Sequence, residues 1–220
     1  MLIIPFVIII AATGYFLSDK IKKYKIYLYI ISSLIGILVL IFSKSNITLP
    51  FNQGFIGFSF FYVVMITGLF NKESKIFKRL FKVRPQLSII GFILLSPHAI
   101  YYLIERITEN YLPDSRIIAI AFFIGILAYL IMIPLFITSF KVIENKKQFF
   151  KWKKLQKFAY FIYLAIFLHL VFVAKMPNLI IYLILFIPYF IYKPIHFIKH
   201  EIPSYKKMHM TDSLIKANKK

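Results

Sequence analysis

The stretch IIAIAFFIGILAYLIMIPLFITS fills residues 117–139. It holds no charged side chain, and its apolar residues run on without the period-two alternation of a barrel strand. At 1.5 Å per residue, a helix of this length is about 35 Å long and clears a hydrocarbon core of about 30 Å. A membrane-spanning helix is therefore the unit of the fold. Working outward, six further apolar runs flank it: 2–17, 26–43, 54–70 and 86–104 before it, 155–174 and 178–192 after it. The expected architecture is all-α: a polytopic membrane helical bundle of about seven spans, the first and seventh the shortest. The bundle takes residues 1–192, and 193–220 form a polar, basic tail.

Composition agrees. Of 220 residues, 60% are hydrophobic and 19% aromatic, and the mean hydropathy is +0.77. A soluble domain holds about 45–50% apolar residues and could not bury this excess. Disorder is excluded on the same ground. The absence of cysteine removes disulfide scaffolds, thiolate nucleophiles and iron–sulfur clusters. No glycine-rich phosphate loop occurs among the seven scattered glycines.

The net charge of +20 resolves when the basic residues are sorted by loop. Lys20, Lys22, Lys23 and Lys25 fall in 18–25. Lys72, Lys75, Lys78, Arg79, Lys82 and Arg84 fall in 71–85. Seven lysines lie in 140–157 and seven more after 192. Together these account for 24 of the 28 Lys and Arg. The other four, Lys44, Arg106, Arg116 and Lys175, occupy the alternate loops. Cytoplasmic loops collect Lys and Arg, so the N-terminus is expected outside, the C-terminus cytoplasmic, and the chain in the cell membrane (inner or plasma). Topology and attraction to anionic lipid heads explain the charge better than a nucleic-acid footprint. The lysines follow the first apolar run instead of preceding it, which favours an uncleaved first span over a signal peptide.

Polar groups inside spans are costly and mark candidate sites. The middles of the spans hold no Asp, Lys or Arg, which argues against a proton pump or ion-coupled transporter. Two histidines stand out. His98 lies 12 residues past Gln86, and His169 lies 14 past Leu155. On helices entering from the cytoplasm they sit about 18 and 21 Å up a core of about 30 Å. Two imidazoles at one level on separate helices can clamp a haem iron, and both are candidate metal ligands. The competing reading is a pair of hydrogen-bonded packing residues.

Other candidates are weaker. Met65 and Met132 reach the inner half of the membrane and read as core filler. His196 and His200 stand i, i+4 next to Glu201, but a basic interfacial helix explains them better than a metal site. His209 carries no signal. Glu105, Glu109 and Asp114 read as a solvated outer loop.

The residues around the two histidines resemble a known family. Thr67-Gly68-Leu69-Phe70, a basic loop and Arg84-Pro85-Gln86-Leu87-Ser88-Ile89-Ile90-Gly91-Phe92 lead to His98 and Tyr101. Pro134-Leu135-Phe136-Ile137-Thr138-Ser139 follows, then Trp152-Lys153-Lys154-Leu155-Gln156-Lys157-Phe158-Ala159-Tyr160 and Leu168-His169. This order is similar to the ferric-reductase-like transmembrane domain family. Within it the chain looks most like the haem-binding membrane subunit of the bacterial periplasmic methionine-sulfoxide reductase system (MsrQ/YedZ). The resemblance covers about residues 65–175, with a family core expected over 54–192.

The resemblance implies that His98 and His169 ligate b-type haem. It further implies that the bundle passes electrons across the membrane, from a cytoplasmic flavin reductase or quinol to an outer acceptor. A soluble reductase or flavoprotein partner is implied with it. Where the family has histidine in its Trp-x-x-Leu-His motif, this chain has Gln156, about 20 Å below His169 along the helix. One haem near the outer face is therefore expected. An inner FMN or quinone near Arg84, Trp152 and Gln156 would complete the relay; the competing reading makes those residues interfacial anchors. Pro97, immediately before His98, is a second departure and can kink the span. Tyr101 and Tyr102, a turn above His98, could bond a haem propionate or belong to the outer aromatic belt. Two rival classes stand beside electron transfer: a small non-redox transporter, and a membrane anchor that only docks a redox partner.

Overall fold

The computed structural model describes residues 3–108, 116–140, 152, 154–176 and 178–196. Among these, regular structure is entirely helical. The helices are α1 (Ile3–Phe16), α2 (Ser18–Lys23), α3 (Lys25–Ile41), α4 (Leu49–Asn52), α5 (Phe55–Thr67), α6 (Lys75–Thr108), α7 (Arg116–Ser139), α8 (Phe158–Val173) and α9 (Asn178–His196). Five helical segments are long and apolar enough to cross a membrane: Asn46–Thr67, Lys75–Thr108, Arg116–Ser139, Lys154–Val173 and Asn178–Ile195. The expected first two spans fall on shorter helices. α1 has 14 residues and α3 has 17, about 21 and 26 Å against a core of about 30 Å.

Three boundaries differ from the sequence expectation. The basic stretch 18–25 contains α2 and the start of α3. The basic stretch 71–85 is helical from Lys75, so α6 runs for 34 residues, about 51 Å. Charge was a poor guide there because the helix keeps an apolar stripe. Leu80, Val83 and Leu87 are buried against Ile10 and Ile21 of α1 and α2, a spacing of three and four that charged neighbours do not interrupt. The last helix continues through Lys193 to His196; the rest of the expected tail, with His200 and His209, lies outside the described residues. Glu109, Asp114 and most of 140–157 do too.

The basic extension of α6 is tied to α1 and α2. Lys82 forms an ion pair with Asp19. Arg79 donates to the Tyr15 carbonyl at 3.2 Å and stands 5.0 Å from the centre of the Tyr15 ring. The Lys82 ammonium, by hydrogen bond and by charge, holds the Asp19 carboxyl below its usual 3.8. A depressed carboxyl stabilises the fold above its unfolded value and stops doing so as pH falls through the folded one. The pair is solvent-exposed and salt-screened, so it orients the extension more than it stabilises it.

Elsewhere small residues set the closest approach between helices. A Cβ on Gly57 of α5 would lie 2.7 Å from the backbone of Leu95 on α6, and one on Gly91 of α6 would lie 2.7 Å from Phe60 Cβ. Without a hydrophobic driving force between helices in lipid, such backbone approach is what holds a bundle together. It also fixes the height of α6 against α5 three residues below His98. Outward faces carry bare apolar rows, among them Ile30, Leu34, Ile37 and Ile41 on α3 and Ile120, Phe123, Leu127 and Leu130 on α7. A water-soluble surface does not tolerate patches of this extent; a lipid-facing one requires them.

Candidate functional site

His98 comes from α6 and His169 from α8, and the fold brings their rings together. Their centroids are 6.3 Å apart, with ring planes crossing at 85°. α6 stays helical through Pro97, which is itself fully buried. Each imidazole binds a backbone carbonyl through Nδ1. His98 Nδ1 lies 2.6 Å from the Asn52 carbonyl oxygen at the end of α4. His169 Nδ1 lies 2.8 Å from the Ala121 carbonyl oxygen on α7. A carbonyl only accepts, so in each bond Nδ1–H donates, and the neutral ring keeps its lone pair on Nε2. Tyr102 packs edge-on against His98 at 5.0 Å, and the Tyr101 hydroxyl reaches Glu105 at 3.5 Å.

The opposite end of the bundle holds a cavity of about 60 Å³. Its polar lining comes from Arg84, Ser88, Ser139, Gln156 and Tyr163. Arg84 stands close to the Tyr163 hydroxyl. The hydroxyl protons of Ser88 and Ser139 go to the carbonyls of Arg84 and Leu135. Gln156 Nε2 is buried with no hydrogen-bond partner. Trp152 is half-buried and does not line the cavity, so two of the three inner candidates meet there and the third stands apart. Met132 lines it too and is buried, as is Met65. A dry engineered cavity that takes up benzene measures about 150 Å³, so this space suits a few waters and not a ring system.

A family model described as "Ferric reductase like transmembrane component" matches residues 53–167, a little over half of the chain. The chain belongs to this family. Membership points to a multi-pass membrane protein that serves as an electron-transfer subunit, without naming its donor, its acceptor or its membrane. No curated protein and no solved structure gives a match. The matched stretch contains His98 and stops two residues short of His169; the fold supplies the pairing that the match leaves out.

For a member of this family, the fit to haem can be judged on the residues present. An iron holding one imidazole nitrogen on each face, with metal–nitrogen bonds of about 2.0 Å and each ring centre about 1.1 Å behind its nitrogen, sets the centroids roughly 6.2 Å apart. The observed 6.3 Å fits. Among the described residues no group of three or more His, Cys, Asp or Glu could hold a metal ion. A porphyrin-bound iron would take four nitrogens from the macrocycle and need only two from the chain. Sequence reasoning found the two histidines by depth. It missed Asn52, Gly54, Ala121 and Gly125, which carry no ligand chemistry of their own. Their one signal is that Gly54 and Gly125 stand at the histidines' end of the neighbouring spans.

Proposed function

We propose that this membrane domain carries one b-type haem between His98 and His169 and passes electrons from the cytoplasmic side towards an extracytoplasmic acceptor. In this reading the seven apolar helices all cross the cell membrane, with the N-terminus outside and the C-terminus in the cytoplasm. The chain acts as the membrane subunit of a reductase system of the MsrQ/YedZ kind. The observation that carries the reading is the 6.3 Å between the two rings, each held by a carbonyl at Nδ1 with Nε2 left over. A bis-imidazole haem supplies reversible one-electron transfer and has no open position for oxygen or substrate. The residues of this chain hold both ligands in one tautomer and surround them with apolar side chains. That setting disfavours extra charge on the iron and tunes its potential.

Electrons must enter about 20 Å below the histidines. The reading puts the inner carrier at the cytoplasmic end by Arg84, Trp152 and Gln156. That carrier is an FMN or quinone, or the flavin of a soluble reductase partner. Purified protein should give a dithionite-reduced minus oxidised spectrum of low-spin b-type haem at one haem per chain. A colourless preparation after haem-supplemented expression overturns the proposal. Gln156→His should leave the stoichiometry at one, because no other span histidine exists to supply the second ligand of an inner haem. A rise towards two haems per chain would show that the inner site had lost only its ligand.

A further inference from the structure

We propose that Gly54 and Gly125 are positioning residues for the histidine pair. Each keeps open, beside a backbone carbonyl, the space that an imidazole from another helix enters, and so fixes which nitrogen that ring presents. The inference takes its ligand from the haem reading above, but its geometry stands without it.

Gly125 acts within a continuous helix. In an α-helix the side chain four residues on lies beside a given carbonyl, close enough for hydroxyls to bond back to it. This bundle repeats that contact: Thr67 to the Val63 carbonyl at 2.7 Å, Ser88 to that of Arg84 at 3.0 Å, Ser96 to that of Phe92 at 2.9 Å. Ala121 and Gly125 have the same spacing on α7, but position 125 has no side chain. His169 from α8 takes the vacant place and reaches the Ala121 carbonyl. A Cβ on Gly125 would lie 3.0 Å from His169 Nδ1 and 3.1 Å from Cε1, tighter than nine in ten real Cβ contacts. The ring would have to give by a few tenths of an ångström, and that shift strains its bond to Ala121.

Gly54 acts at a helix break. The amides of Gln53 and Gly54 turn back to the carbonyls of Leu49 and Phe51. Gly54 then takes φ +74° and redirects the chain into α5. The Asn52 carbonyl at this helix end is left for His98. A Cβ on Gly54 would lie 3.2 Å from His98 Cγ and 3.3 Å from Nδ1, on a backbone conformation that L-residues adopt at a cost. None of the other five glycines has a histidine among its nearest atoms. Two different backbone devices, on different helices, thus arrive at one arrangement: carbonyl, glycine, imidazole.

Donation from Nδ1 fixes the tautomer and raises the basicity of the opposite nitrogen, which favours the ferric state. By straining that bond, Gly125→Ala should weaken haem retention, with the roughly ten- to a hundredfold cost of losing such a partner outright as the upper bound. It should also raise the midpoint potential, by about 59 mV for each tenfold that ferric binding weakens beyond ferrous. A second readout needs no haem. In ¹⁵N-histidine spectra of haem-free protein in detergent, both rings should show the Nδ1–H tautomer. Gly125→Ala should disturb His169 alone, and Gly54→Ala should disturb His98 alone. Gly36→Ala is the control, since a Cβ there meets only ordinary contacts at 3.6 Å. Wild-type spectra in both readouts overturn the proposal. So does misfolding of both variants while the control folds, since the glycines would then serve packing alone. If wild-type protein takes up no haem, the haem reading fails, and the tautomer spectra still decide this one.

Discussion

His98→Ala and His169→Ala should each abolish the low-spin haem spectrum, and the double variant should look like either single one. Losing only the carbonyl behind a ligating histidine typically weakens binding by about 10–100-fold, so removing the ligand itself must cost more. The two ligands act as one unit. With either gone the iron is no longer six-coordinate, and removing the second has little left to remove, as groups that function together are strongly non-additive. Folding should be spared. Each ring contributes one hydrogen bond to a carbonyl, worth about 1 kcal/mol net. Absorption spectra and haem-to-protein ratio should therefore fall to background while helical circular dichroism and gel-filtration profile stay near wild type. Retention of the low-spin spectrum by either variant would remove that histidine from the coordination sphere. Loss of helicity in parallel with colour would make the pair structural.

The sequence was most legible where physical constraint was strongest. The uncharged run 117–139 could only be a membrane helix, and α7 covers it. The depths of His98 and His169 followed from helix rise alone, and the rings meet. Legibility failed where two signals competed. Charge marked 71–85 as a loop, yet Leu80, Val83 and Leu87 hold that stretch in α6 against α1 and α2. Ligand chemistry drew attention to side chains, whereas what sets both imidazoles is backbone: two carbonyls and two missing Cβ atoms. Nothing in a glycine's identity says which ring will fill the space beside it; that depends on the register of α8 against α7 and of α6 against α5. Gln156 was conspicuous as a departure from the family pattern. The structure adds that it lines a cavity with its Nε2 buried and without a hydrogen-bond partner, which no spacing rule supplies.

Phe186→Ala should destabilise the bundle by about 2–3 kcal/mol. The ring is 0% exposed. It stacks on Phe58 at 5.6 Å and on Phe190 at 6.1 Å, and meets Phe167 at 5.2 Å and Tyr62 at 6.1 Å. These contacts join α9 to α5 and α8, and the Tyr62 hydroxyl adds a bond to the Leu185 carbonyl at 3.0 Å. In a water-soluble core, Phe→Ala costs about 3–5 kcal/mol. In a bilayer the unfolded reference keeps the ring in lipid, so the transfer part of that cost falls away and packing remains. A residual cavity of roughly 100 Å³, at about 24 cal/mol per Å³, leaves about 2.4 kcal/mol. Phe123 on α7 is the comparison, because it is 58% exposed on a face covered by acyl chains that can fill the gap. Phe123→Ala should cost under about 0.5 kcal/mol. Unfolding in mixed detergent micelles, followed by helical signal, measures both. Equal losses would mean that α9 does not close the bundle around Phe186. A large loss for Phe186→Ala should also loosen haem, since Phe167 stands two residues before His169 on α8 and would lose the ring it packs on.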